Sequence, residues 1–292
     1  MPQRRFMQLD VFSASHGKGN PLAVVVDAQD LDTAQMQHFA AWTNLSETAF
    51  LLPAIQAGAD YRLRIFTPRQ ELPFAGHPSV GAAWVAVENG MAHTRDGALL
   101  QECAAGLLPV RIDESGPNRR ISIRAPQAKI RLPTEQELRR LAEALPDCGI
   151  NFHTIRHVDN GPAWWIVNLR DETCVRTLQP DLAAIATLSR ECDVVGLAVY
   201  ARIPRGDMAL VTRVFCPADG IAEDPVTGSA NAAIAAVLHA TKALDEMGHR
   251  WCATQGRELG RDGRVHVEIE DTGAVWIGGE CAVAIRGLLD WP

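Results

Sequence analysis

Four side chains able to carry protons or anions stand at sharp junctions of this 292-residue sequence. Glu47 lies in NLSETAFLL, where a helix end near Asn44 gives way to an apolar strand. His77 follows Gly76 in ELPFAGHPSVGAAWVAV. Asp224 and Ser229 stand on either side of Gly228 in EDPVTGSANAAIAAVL. A carboxylate placed like Glu47 is expected to be partly desolvated, which raises its pKa toward neutrality and suits it to general acid and base work. The plainer role for Glu47 is a solvated residue at a strand entrance. Taken singly, His77, Asp224 and Ser229 read as N-caps, and the two glycines as tight turns. A helix starting just after Gly76 or Gly228 would also expose unpaired N–H groups and about half a positive charge, which attract carboxylates and oxyanions.

The elements that must position these groups occur twice. Both glycine segments read E-x-P-x-x-G and run into small apolar residues. RIFTP precedes the first and RVFCP the second, and the matching residues are 149 (Arg64 to Arg213) and 152 (Glu71 to Glu223) positions apart, close to half the chain. Two related halves with an active site between them are therefore expected. Pro78 fits the first position of a helix, with His77 just before it and Gly90 as its C′ stop. SVGAAWVAV and ANAAIAAVL lack a polar face, so each helix must be buried on every side. A curved sheet wrapped around each would achieve this.

The predicted fold is α+β, with two pseudo-symmetric domains, each a barrel-like sheet around a central apolar helix. The expected boundary is residues 1–117 and 118–279, at Gly116, Pro117 and Asn118. Strands are predicted at MQLDVF, PLAVVV, TAFLLP, YRLRIF, LLPVRI, RRISIRA, WWIVNL, GLAVYAR, MALVTRVF, RVHVEIE and AVAIRGLL. Three amphipathic helices are predicted: one after the Asp32/Gln35 capping box, one after the Thr134/Glu137 box, and PDLAAIATLSREC.

Several function classes are excluded by composition and motif. The net charge is −7 with no long basic block, so nucleic acid is not an expected partner. No run reaches the roughly 18 apolar residues of a membrane span and no secretory h-region opens the chain, so a cytoplasmic protein is expected. The seven cysteines, at 103, 148, 174, 192, 216, 252 and 281, are scattered and never spaced C-x-x-C. They read as buried thiols of a reducing compartment rather than a zinc site. Dinucleotide, P-loop and nucleophile-elbow motifs are absent. His153 and His157 in HTIRH lack the glutamate of a zinc protease. Ser79 of GHPS falls inside a helix with no base nearby in sequence.

NLSETAF, RIFTPRQELPFAGHPSVGAA and EDPVTGSANAA, in this order, resemble the PhzF-like family of the diaminopimelate epimerase superfamily. LDVFSASHGKGNPLAVVVDA is similar to that family's opening, so the resemblance runs nearly end to end. It implies an isomerase of the phenazine-biosynthesis type working without metal or organic cofactor, often as a homodimer, with residues 280–292 returning to the first domain. It implies Glu47 as acid/base, Asp224 and His77 as its catalytic partners, and Gly76, Gly228, Ser229 and Ser46 as substrate-binding. The reaction implied is that on trans-2,3-dihydro-3-hydroxyanthranilate, in which the glutamate moves a proton between ring carbons. A small carboxylate is thus the expected ligand. Racemases of the superfamily use two cysteines instead; an approximate alignment puts Ala75 and Pro225 at those places, and neither ionises. A non-catalytic binding protein that keeps the fold, and a serine hydrolase using Ser79 or Ser229, are the other readings.

Overall fold

Continuous apolar runs become strands covered on both faces. A computed structural model describes residues 3–146, 149–204, 208–244 and 247–291. In chain order the elements are β1 (Arg4–Val11), β2 (Asn20–Val25), α1 (Thr33–Thr43), β3 (Thr48–Leu52), β4 (Tyr61–Phe66), β5 (Glu71–Leu72), α2 (Gly76–Glu88), β6 (Ala98–Cys103), β7 (Gly106–Asp113) and β8 (Arg120–Arg124). They continue with β9 (Lys129–Arg131), α3 (Glu135–Ala144), β10 (Arg156–Asp159), β11 (Ala163–Asn168), α4 (Glu172–Thr177), α5 (Leu182–Cys192), β12 (Gly196–Arg202) and β13 (Leu210–Cys216). The last are β14 (Ile221–Asp224), α6 (Gly228–Ala240), β15 (Arg250–Gln255), β16 (Gly263–Ile269) and β17 (Val275–Leu289). The chain divides into two compact units, Met1–Arg124 with Gly278–Pro292, and Ala125–Ile277.

In the first unit the pairing runs β17–β1–β2–β3–β4–β6–β7–β8 and returns to β17, an eight-strand closed barrel. Closure leaves no exposed sheet edge in this set. The steps β2 to β3 and β4 to β6 are parallel, so each needs a crossover, and α1 and α2 supply them. Helix α2 packs against β1, β2, β3, β4 and β8. Ten of its thirteen residues are buried, which is why no polar face is written into it. Val25, Phe50, Leu52 and Phe66 face the other way, onto Met36, Phe39 and Ala40 of α1. Alternate side chains of one strand thus fill two cores, and AVVV and TAFLL need no polar alternation.

In the second unit the order is β9–β10–β11–β12–β13–β15–β16, with β11–β12 and β13–β15 parallel. Helix α6 packs against β10, β11 and β16. A separate cluster on α3 and α5 (Leu141, Ile185, Leu188) meets Trp165, Val167 and Val199. The architecture is a mixed α/β fold with few helices.

Both expected capping boxes form, Asp32 with Gln35 and Thr134 with Glu137. The third helix is α5, capped by Asp181. Gly90 ends α2 at a φ of 67°, with its N–H on Val87 O and the next N–H on Ala86 O, a Schellman closure. The start of α2 differs from expectation: the helix begins at Gly76, so His77 lies inside the first turn rather than ahead of it. Pro78 is tolerated at the third position because the first N–H groups of a helix have no intrahelical acceptor. All eleven expected strands form. Missed were β5, β6, β9, β10, β14, β15 and the six-residue α4.

Cys103, Cys174, Cys216 and Cys252 are buried, Cys192 and Cys281 are half-buried, and all six are free thiols; Cys148 lies outside the described residues. Among the described residues no helix is long and apolar enough to cross a membrane, and no cluster of His, Cys, Asp and Glu is arranged to hold a metal ion.

Candidate active site

Glu47 sits one residue before β3, after the left-handed Asn44 that ends α1. That turn aims its carboxylate at the start of α2. Glu47 Oε2 is 3.5 Å from His77 Nε2, with the two side chains 18% and 6% exposed. On the other side of the ring, Asn20 Nδ2 lies 3.4 Å from His77 Nδ1. An amide NH₂ can only donate, so Nδ1 acts as acceptor and the neutral ring carries its proton on Nε2, facing Glu47. Gly76 is the first residue of α2, and the N-cap, Ala75, offers no side-chain oxygen to the helix N–H groups. Ser46, next to Glu47, has a buried Oγ with no hydrogen-bond partner among the described residues.

Asn20 is held by the loop that precedes it. Asp10 Oδ2 accepts from Gly17 N at 2.7 Å and Oδ1 from Gly19 N at 3.2 Å. Gly19 must be glycine, since a Cβ there would stand 2.3 Å from Val11 O. The loop SASHGKGN is therefore a pinned support for the Asn20–His77–Glu47 row.

In the second unit Asp224 ends β14 and is buried. Thr227 Oγ1 donates to Asp224 Oδ2 at 2.5 Å, and Thr227 is the N-cap of α6 without bonding its N–H groups through that hydroxyl. Gln255, fully buried at the end of β15, ties the turn together. Its Nε2 donates to Asp224 O (3.0 Å) and Thr227 Oγ1 (2.9 Å). Its Oε1 accepts from Thr227 N (3.0 Å) and Asn231 Nδ2 (3.2 Å). Gly228 and Ser229 are the first two residues of α6. Asn160 Nδ2 donates to Ser229 O at 2.9 Å.

The residues expected from sequence thus gather in two groups: Ser46, Glu47, Gly76 and His77 in one unit, and Asp224, Gly228 and Ser229 in the other. One positional equivalence changes. The two N-caps are Ala75 and Thr227, so Thr227 rather than Pro225 matches Ala75; neither bears a thiol. Ser79 is fully buried and accepts from Gln101 Nε2 at 3.1 Å, so its hydroxyl serves packing.

Sequence reasoning missed Asn20, Asn160 and Gln255. A signal existed for the asparagines. Both occur beside Pro or Gly in the first hairpin of a half, GNPLAVVV and DNGPAWWIV, and each reaches the second residue of its central helix. Nothing local marks Gln255, whose role depends on a partner strand.

Comparison with known proteins gives four findings. Residues 9–287 match the family model described as phenazine biosynthesis-like protein. The chain is 34% identical to a trans-2,3-dihydro-3-hydroxyanthranilate isomerase of Pseudomonas aeruginosa, over 97% of this chain and 98% of that one. It is 36% identical to an uncharacterized isomerase of Deinococcus radiodurans, over 100% and 96% of the two chains. Among solved structures, a predicted epimerase from Pseudomonas aeruginosa superposes with a TM-score of 0.79 at 29% identity, covering 98% and 99% of the chains.

Proposed function

The chain belongs to the phenazine biosynthesis-like protein family, and from that premise we propose that it is a cofactor-independent isomerase whose Glu47 moves a proton between carbons of a small carboxylate. The observation that carries this reading is the row Asn20–His77–Glu47. It sets a mostly buried carboxylate against a buried imidazole at the start of α2.

In the proposed step Glu47 removes a proton from an acidic C–H next to a π-system. The C–H electrons move into the conjugated system, and the same carboxyl group returns the proton to a second carbon. The net change is a shift of one hydrogen and one double bond. His77 Nε2–H steadies the carboxylate while it is charged. The N-termini of α2 and α6 each present N–H groups and positive dipole ends suited to a carboxylate or a developing enolate. Asp224 and Gln255 hold the turn that sets Gly228 and Ser229 in place.

A substrate like trans-2,3-dihydro-3-hydroxyanthranilate is the first to test, because a relative covering nearly the whole chain is named for it. A racemase with two thiols is not supported, since Ala75 and Thr227 occupy the two N-caps. The recurrence of parallel steps around α2 and around α6 supports the reading of the units as duplicated halves. A homodimer belongs to the same proposal, and light scattering tests it.

The pure protein should change the ultraviolet spectrum of dihydro-hydroxyanthranilate and, in D₂O, incorporate deuterium at the new C–H. Glu47→Gln should lower both by about a thousandfold. Full activity of that variant would remove Glu47 from the chemistry. A silent wild type would remove this substrate and leave the isomerase class to be tested on others.

A further inference from the structure

Thr227 is an N-cap that does not cap. A threonine in that position ordinarily spends its hydroxyl on the second or third N–H of the helix, yet Thr227 makes no such bond to α6. Its hydroxyl is engaged elsewhere, and the direction of each bond is fixed by chemistry. Gln255 Oε1 meets Thr227 N, which can only donate, and Gln255 Nε2 meets Asp224 O, which can only accept. Asn231 Nδ2 and Thr212 Oγ1 also donate to Oε1. All these contacts set the amide the same way round, so Nε2 must donate to Thr227 Oγ1 at 2.9 Å.

The hydroxyl hydrogen of Thr227 then has one acceptor among the described residues, Asp224 Oδ2 at 2.5 Å. Were Asp224 the donor instead, that hydrogen would be stranded on a side chain 7% exposed, which is costly. A hydroxyl delivered to a carboxylate favours its ionised form. The other charged side chains on β13, β14 and the turn Pro217–Asp219 are three. Arg213 and Glu223 are bonded to one another, and Asp219 is exposed.

We propose that Thr227 is a positioning residue whose hydroxyl, aimed by Gln255, holds Asp224 as a charged acceptor and leaves proton carriage to Glu47. Only the second part, the division of labour with Glu47, rests on the isomerase reading given above. One carboxylate cycles between protonation states, and the other stays ionised through turnover.

Carbon-13 NMR of the aspartate carboxyl groups in the full chain tests the first part without any substrate. Thr227→Val keeps the shape and removes the hydroxyl, and should raise the pH at which Asp224 protonates by about one unit. Thr227→Ser restores the hydroxyl and should return that pH to the wild-type value. Deuterium uptake catalysed by Thr227→Val should fall off on the acid side at a pH higher by the same amount. Should the valine variant not fold, the Thr227 methyl resonance of wild type is the readout, and it should move in step with protonation of Asp224. An Asp224 titration unchanged in Thr227→Val, or a methyl signal indifferent to it, would overturn the assignment. A shifted titration with an unshifted activity profile would overturn the division of labour alone. A wild type silent on every acid tried would remove the isomerase reading, while the carboxyl titration still decides whether Thr227 holds Asp224.

Discussion

Arg213 holds Glu223 with two parallel bonds, Nε to Oε1 at 2.9 Å and Nη2 to Oε2 at 2.8 Å, and Arg64 holds Glu71 in the same way at 2.7 Å each. In both places the guanidinium also lies 5.1 Å from the ring of the phenylalanine two residues on, Phe215 or Phe66. The repeated R-x-F and E of the sequence are therefore one structural device used twice. It clamps the short strand that leads into each central helix, β14 or β5, to the long strand beside it. The copies differ in burial. The second pair is 7% and 9% exposed and the first 21% and 33%. Arg213 Nη1 also donates to Val175 O and Leu178 O, at the end of α4.

That difference predicts unequal costs. Glu223→Ala leaves a buried, uncompensated guanidinium and should destabilise the protein by about 3–5 kcal/mol. Glu71→Ala, in the wetter copy, should cost about 1 kcal/mol or less. Urea denaturation of the two variants checks the ratio; equal losses would show that burial does not set the strength of the clamp.

How much of this was legible depends on the range of the interactions. The helices α2 and α6 could be read because burial on all sides removes the polar face, a property of nine consecutive residues. Capping boxes and Gly90 are equally local. The strands β6 and β15 were not read. GALLQEC and RWCATQ carry polar residues that are buried only because partners across the sheet satisfy them: Gln101 bonds Tyr61 and Ser79, and Gln255 bonds Asp224 and Thr227. Closure of the barrel through β17 depends on pairings between chain ends, for which no short pattern exists. In the site, Glu47 and His77 could be named in advance, but the tautomer that Asn20 imposes required the geometry.

The two central helices end alike but with different residues. Lys242 occupies the left-handed position after α6 at a φ of 56°, with its N–H on His239 O and the following N–H on Leu238 O. The corresponding residue after α2 is Gly90. A side chain in this conformation is strained, and glycine is not. Lys242→Gly should therefore stabilise the protein by about 0.5–1 kcal/mol, the gain being reduced by the greater freedom of glycine in the unfolded chain. A rise in Tm checks it, and a fall would mean that the lysine side chain makes a stronger contribution than its backbone strain.

Acid should loosen α3 as pH falls below about 5. Glu137 closes the capping box on Thr134 N and accepts from Arg131 at 2.8 and 3.0 Å. Hydrogen bonding to Arg131, the largest cause, with Thr134 adding to it, lowers its pKa from 4.5 to about 2. A depressed acid contributes stability above its unfolded pKa and loses it as pH falls toward the folded value. The contribution should thus be full above about pH 5 and decline down to about pH 2. Glu137→Gln should be less stable than wild type at neutral pH, with the gap closing over that window. A gap independent of pH would show that the capping geometry, not the charge, is what Glu137 supplies.

The tautomer of His77 gives the last prediction. Asn20 donates to Nδ1, so the proton of the neutral ring resides on Nε2 beside Glu47. Asn20→Asp keeps the shape and reverses the polarity, because a carboxylate can only accept and calls for a proton on Nδ1. The added negative charge also favours the imidazolium, so the pKa of His77 should rise. Stability gained in this way is complete below the unfolded pKa of about 6.5 and is lost as pH climbs through the raised folded value. Nitrogen NMR of the ring should report the Nε2–H form in wild type and either Nδ1–H or the doubly protonated ring in the variant. The pH profile of any proton exchange catalysed through Glu47 should move with it. An unchanged ring signal would mean that Asn20 does not govern His77, and that Glu47 faces a histidine whose proton is set elsewhere.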